Sequence, residues 1–153
     1  TAAVLRALGE VNRQAGDLTQ AQEQLEESLR IMRVAHADRD HPTTAAVLRA
    51  LGEVSQRAGD FTQAKKHLEE SLRMKRSLHG DRAHFSLVST LCALGEVNRL
   101  VGDLNQAKQQ LEESLRMMRS LCGDRDHPMT AAVLRALGEV NRQAGDLTQQ
   151  AQK

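Results

Sequence analysis

The string LGEVNRQAGDLTQ that begins at Leu8 returns as LGEVSQRAGDFTQ at Leu51, as LGEVNRLVGDLNQ at Leu94 and unchanged at Leu137, each time after 43 residues. Self-similarity at such a period marks a chain that folds by stacking copies of one supersecondary unit. A second string keeps the register: LEESLRIMR from Leu25, LEESLRMKR from Leu68 and LEESLRMMR from Leu111. The chain therefore reads as a single array over 1–153, made of units 1–42, 43–85 and 86–128 and a partial fourth over 129–153.

Within each unit the apolar residues recur with helical period. A first helix carries Val4, Leu5, Leu8, Val11 and Ala15, and a second carries Leu18, Ala21, Leu25, Leu29 and Met32, in steps of three and four. Each helix thus has one stripe to bury. Between them Gly16 suits the left-handed residue that ends a helix, and Asp17 with Gln20 suits the capping box that starts the next. The same stop and start is expected at Gly59-Asp60-Gln63, Gly102-Asp103-Gln106 and Gly145-Asp146-Gln149. The polar linkers HADRDHP from His36, HGDRAHF from His79 and CGDRDHP from Cys122 place Pro42 and Pro128 in the first turn of the following helix, with Phe85 at that point in the third unit. The hairpins cannot bury their stripes alone, so they stack, and the expected fold class is all-α, a right-handed superhelical solenoid of antiparallel helix hairpins with a concave and a convex face.

Composition agrees with this. Aromatic residues make up 1% of the chain, with no Trp or Tyr, so the core is built from Leu, Val, Ala and Met. The net charge is +1, distributed as −2, +3, −1 and +1 over the four units, which is too even for a nucleic-acid footprint. The most basic cluster, Lys65, Lys66, Arg73, Lys75 and Arg76, shares a helix with Glu69 and Glu70 and is expected to be a solvated face. No run approaches the ~20 apolar residues of a membrane span. Two cysteines, Cys92 and Cys122, without an apolar signal segment suit a reducing, cytoplasmic compartment. The sequence opens at Thr1 rather than Met and reads as a fragment of something longer.

The order Leu8-Gly9, Gly16-Asp17-Leu18, Ala21 resembles the tetratricopeptide repeat, and the 43-residue unit started by His-Pro is similar to the long variant found in kinesin light chains and nephrocystin. The resemblance covers essentially the whole chain. It departs at Asn12, Ser55, Asn98 and Asn141, where the family often has an aromatic residue. A polar group beside the packed stripe must find partners as a ladder between repeats or through water, or else reach solvent. The twenty residues from Thr1 also recur without change from Thr130, which fits a recent duplication or a consensus design.

A catalytic site is a constellation placed once in a shaped pocket. Here Glu26-Glu27, Glu69-Glu70 and Glu112-Glu113 recur with the repeat and are expected to be solvent-facing pairs. No feature near Cys92 or Cys122 lowers a thiol pKa, and the ten glycines are accounted for by packing, turns and linkers. The chain is therefore expected to be no enzyme and to need no cofactor. His36 and His41, His79 and His84, and Cys122 and His127 stand five apart in matching linkers, yet a structural zinc site needs about four converging ligands, so no metal site is expected. In the resembled family a histidine before the helix-starting Pro has a capping role.

The first helices carry the feature with functional content. Arg6, Glu10 and Arg13 follow helical spacing away from Leu8 and Val11, and the matching sets are Arg49, Glu53 and Gln56, then Cys92, Glu96 and Arg99, then Arg135, Glu139 and Arg142. The resemblance implies that these positions line a concave groove that holds partner segments. The family's asparagine clamp is replaced by Ala7, Ala50, Ala93 and Ala136. Arginine forks suit carboxylates, so a protein or peptide partner with an acidic segment is one reading of the face. A self-satisfied Arg–Glu ladder between neighbouring repeats is the other, with the chain then a spacer or recognition arm of a larger protein or a consensus-like array without a ligand. Neither end carries a polar capping face, so head-to-tail self-association into open stacks is also expected.

Overall fold

The computed structural model describes residues 2–80 and 82–153, and the side chains of these apart from those of residues 4 and 11–15. Among the described residues seven α-helices follow one another: α1 (Ala2–Ala15), α2 (Leu18–Ala35), α3 (Pro42–Arg57), α4 (Phe61–His79), α5 (Phe85–Leu100), α6 (Leu104–Cys122) and α7 (Pro128–Ala151). They gather into two compact units, Thr1–Gly80 and Asp81–Lys153. No strand is present among the described residues. No helix among them is long and apolar enough to cross a membrane.

In the first unit α1 pairs with α2 and α3 with α4, and α2 also packs on α3. The core is the predicted stripe: Ala21, Leu25 and Leu29 from α2 close on Val47, Leu48, Leu51 and Val54 from α3. Each fully buried aliphatic side chain contributes about 1.5–3 kcal/mol. The hairpins close as expected. Gly16 and Gly59 take φ of 88° and 81°, and Asp17 and Asp60 each accept the N–H of the residue three further on, at 3.1 Å. A helical glycine in each hairpin lets the second helix approach: a Cβ on Gly52 would lie 2.5 Å from Leu68 Cγ, and one on Gly9 would lie 2.8 Å from Leu25 Cγ. Leu8, expected in the stripe, is 45% exposed, whereas its counterparts Leu51 and Leu94 are fully buried. Leu5 is half-buried, and the remaining α1 stripe residues, Val4, Val11 and Ala15, lie outside the described side chains.

In the second unit α5 pairs with α6, and α7 lies on both. Val88, Met118, Cys122 and Val133 form one buried cluster, and Ala107, Leu111 and Val140 another. Gly102 (φ 87°) and Asp103 make the α5–α6 turn. The expected turn at Gly145-Asp146-Gln149 does not form: α7 runs through it as one helix of 24 residues. The cause is energetic. Folding back is stabilised by burying a second-helix stripe, and Leu147, at the place of the buried-side Leu18, stays 51% exposed. A mid-helix glycine costs about 1 kcal/mol, less than an uncompensated turn, and Asp146 instead pairs with Arg142 at 3.3 Å.

Histidines start three of the helices. The Nδ1 atoms of His41, His84 and His127 accept the N–H of Thr43, Ser86 and Met129 at 3.0–3.1 Å, so each ring caps a helix. His36 stacks on His41 with ring centroids 3.7 Å apart.

Candidate functional site

The first-helix positions fall into two groups, one in each unit. In the first unit Arg6 is exposed and Glu10 half-buried, while the side chain of Arg13 lies outside the described residues. On α3 Arg49 pairs with Glu53 one turn on, and with Gln56 and Arg57 they line an open depression of about 490 Å³. Arg49 and Glu53 keep 36% and 23% of their side-chain surface, so the pair is accessible.

In the second unit five of the predicted residues meet. Cys92, Glu96 and Arg99 from α5 and Arg135 and Glu139 from α7 line one cavity of about 460 Å³, floored by Ala132 and Ala136. The cavity exists because Cys92 stands where α1, α3 and α7 have the much longer Arg6, Arg49 and Arg135. Arg99 forks onto Glu96, with Nε donating at 3.1 Å and Nη2 at 2.5 Å, and its Nη1 reaches Gln143 Oε1 at 3.4 Å. That fork holds the guanidinium above its usual pKa. Arg142 pairs with Glu139 at 2.9 Å, which lowers the carboxyl pKa, and lies outside the cavity lining. Arg135 is exposed and, among the described residues, makes no hydrogen bond; it acts on Glu139 through space.

The ion pairs run along single helices, Arg49–Glu53, Arg99–Glu96 and Arg142–Glu139, three or four residues apart. These pairs join nearest neighbours on a helix, since i,i+3 and i,i+4 side chains lie side by side, and within the second unit Arg99 and Glu139 also attract each other across neighbouring repeats. Burial pushes the Cys92 thiol pKa up, which keeps it protonated and a poor nucleophile.

The basic cluster is also rearranged. Arg73 pairs with Asp40 of the preceding linker at 3.1 Å, and Glu70, half-buried, holds Arg33 of α2 at 2.9 Å. Glu112 and Glu113 are half-buried as well, so only Glu26, Glu27 and Glu69 face solvent fully as expected. Lys75 is not on a solvated face: it is 5% exposed, and burial, with Arg49 nearby, lowers its pKa to about 8, opposed by Glu53. This buried cation beside the Arg49–Glu53 pair was legible in the repeat, because Lys75 occupies the register of Met32 and Met118, both core residues.

The polar residues beside the stripe resolve differently in each unit. Ser55 and Asn98 are buried and Asn141 is exposed, while Asn12 lies outside the described side chains. Asn98 Nδ2 donates to Gln110 Oε1 at 2.8 Å within its own hairpin, and Asn98 Oδ1 has no partner. No ladder of amides between repeats is present among the described residues.

A family model described as tetratricopeptide repeat matches residues 1–77 and 86–149. Among solved structures, the chain is similar to BtubC (BKLC) from P. vanneervenii, with a TM-score of 0.85 and 20% identity over 96% of this chain and 57% of that one. It spans little more than half of that protein. It is similar as well to nearly identical TPR-like repeats of a Podosopora anserina kinesin light chain (TM-score 0.82, 20% identity, 96% and 68% of the two chains). A third likeness is the first TPR of Spaghetti (RPAP3) bound to an HSP90 peptide (TM-score 0.68, 14% identity, 94% and 93% of the two chains). At these identities the likenesses establish the fold. No curated protein sequence matches this chain.

Proposed function

We propose that this chain, which belongs to the tetratricopeptide repeat family, is a non-catalytic protein-interaction scaffold whose first-helix face takes an acidic segment of a partner protein. The observation that carries this reading is the cavity between α5 and α7, where Arg135 has no hydrogen-bonded partner while Cys92 leaves room beside it. A guanidinium with a free fork, set on two helices that fix its surroundings, suits a carboxylate through two parallel hydrogen bonds. Arg99 and Arg142 are already paired, so their role is to set the potential around the cavity rather than to seize the ligand. The peptide bound to the first TPR of Spaghetti reads SRMEEVD, and three of its seven residues are acidic. Two unpaired thiols suit a cytoplasmic setting.

The test is a titration of a labelled acidic peptide such as SRMEEVD against the chain. Arg135→Glu is expected to weaken binding about tenfold or more, Arg49→Glu less, and added salt is expected to weaken it further because exposed charges are screened beyond about 8–10 Å. Binding that ignores both the substitution and the salt would place the site elsewhere. The intrahelical pairs favour a second reading, a structural spacer with a satisfied surface. A folded chain that binds no acidic segment would support it.

A further inference from the structure

The first unit holds a polar cavity of about 240 Å³, walled by residues of α2, α3 and α4 and of the linker between α2 and α3. Thr44 of α3 lines it and stands where α5 has the larger, fully buried Leu87, so the smaller side chain leaves room. Thr44 is itself 1% exposed, and its Oγ1 has no hydrogen-bond partner among the described residues. A hydroxyl withdrawn from water is ordinarily bonded, so this one points to a group brought into the cavity.

The charges around it are of both signs. Glu70 holds Arg33 at 2.9 Å, and Arg73 donates to both carboxylate oxygens of Asp40, at 3.1 and 3.3 Å. Those pairs leave Arg39 and Asp38, which also line the cavity. Arg39 engages only its Nε, which donates to the His36 carbonyl at 3.3 Å. The Asp38 carboxylate makes no hydrogen bond or ion pair among the described residues. Two consecutive left-handed residues, Ala37 with φ 52° and Asp38 with φ 58°, turn the linker here. The Asp38 N–H donates to the Arg33 carbonyl at 2.8 Å, so the backbone beneath both charges is tied to the end of α2.

We propose that this cavity binds a small zwitterion, a free α-amino acid. Its carboxylate would accept from the Arg39 Nη atoms and the Thr44 hydroxyl, and its ammonium would donate to Asp38. A simple anion would face Asp38 and Glu70, and a simple cation would face three guanidiniums, so a ligand carrying both signs is the one that the lining satisfies. At ~30 Å³ per water the cavity has the volume of about eight waters, which suits an amino acid with a short side chain and is too small for a partner's helix. None of these residues lines the α5–α7 cavity, so the inference does not rest on the acidic-segment reading.

The probes are glycine, L-alanine and L-serine, titrated into the isotope-labelled full chain at constant ionic strength and followed by amide chemical shifts. Saturating shifts are expected at Asp38, Arg39 and Thr44, with a Kd between about 0.1 and 10 mM for at least one of the three. Acetate and methylammonium, each carrying one of the two charges, are expected to bind at least about tenfold more weakly. Asp38→Asn, Arg39→Gln and Thr44→Val are each expected to weaken the amino acid about tenfold or more. Asp38 and Arg39 are exposed, and the Thr44 hydroxyl has no partner to lose, so circular dichroism is expected to show all three variants folded. Arg135→Glu is expected to leave this binding unchanged. No saturation by any of the three amino acids, acetate binding as tightly as they do, or Thr44→Val and Asp38→Asn binding like the wild type would each overturn the proposal.

Discussion

Gly52 and Gly138 sit at the same place in the same LGEV motif, yet replacing each by alanine is expected to change stability in opposite directions. At Gly52 the new Cβ would lie 2.5 Å from Leu68 Cγ, 2.8 Å from its Cδ2 and 3.3 Å from the Ala64 carbonyl oxygen. Leu68 is fully buried and cannot swing away, so α4 must shift or the leucine must leave its rotamer. Overpacking of this kind costs about 1–3 kcal/mol, against a helix-propensity gain of about 1 kcal/mol for Gly to Ala, which leaves a net loss of up to about 2 kcal/mol. At Gly138 no atom lies within 4 Å, so the propensity gain stands alone and the chain is expected to gain up to about 1 kcal/mol. Urea denaturation followed by helical circular dichroism reads both changes, with amide exchange assigning each to its own unit. If Gly52→Ala stabilised the chain as much as Gly138→Ala does, the close approach of α4 to α3 would be refuted.

Lys75 is expected to lower stability at neutral pH. Its folded pKa of about 8 lies below the ordinary 10.5, so the folded state binds the proton less tightly than the unfolded one. The cost is present in full below about pH 8 and is lifted as pH rises towards 10.5. Lys75→Met, the residue found at the matching positions 32 and 118, is expected to stabilise the chain by about 1–3 kcal/mol at pH 7 and to flatten its stability between pH 8 and 10.5; equal pH dependence in both proteins would contradict this. Ala37 holds a left-handed φ of 52° where Gly80 and Gly123 stand in the other linkers. Ala37→Gly is expected to relieve about 1 kcal/mol of that strain, read as a raised urea midpoint.

The helices, their caps and two of the three complete hairpin cores were legible because each rests on local signals: apolar steps of three and four, Gly-Asp at the turns, His-Pro at the starts. What escaped depends on neighbours that one stretch of sequence does not carry. The residues after Thr130 repeat those after Thr1, yet α7 stays straight at Gly145 while α1 ends before Gly16: α1 packs on the α2 that follows it, whereas α7 packs on the preceding α5 and α6. Leu8 shares its motif with Leu51 and Leu94, and only its surroundings leave it exposed. Lys75 was visible in register with Met32 and Met118 but was read with its charged neighbours along the helix instead. On the candidate site, spacing placed Cys92, Glu96, Arg99, Arg135 and Glu139 on one face, as the shared cavity has them, but not that the ion pairs would close within each helix and leave Arg135 apart.

The most direct test of the scaffold reading is amide chemical-shift mapping while an acidic peptide is titrated into the chain. The largest shifts are expected at Cys92, Glu96, Arg135 and Glu139, the residues that line the α5–α7 cavity, with a smaller set around Arg49 and Glu53. Saturating shifts confined to the outer faces of the second helices α2, α4 and α6, with the cavity residues unmoved, would contradict it.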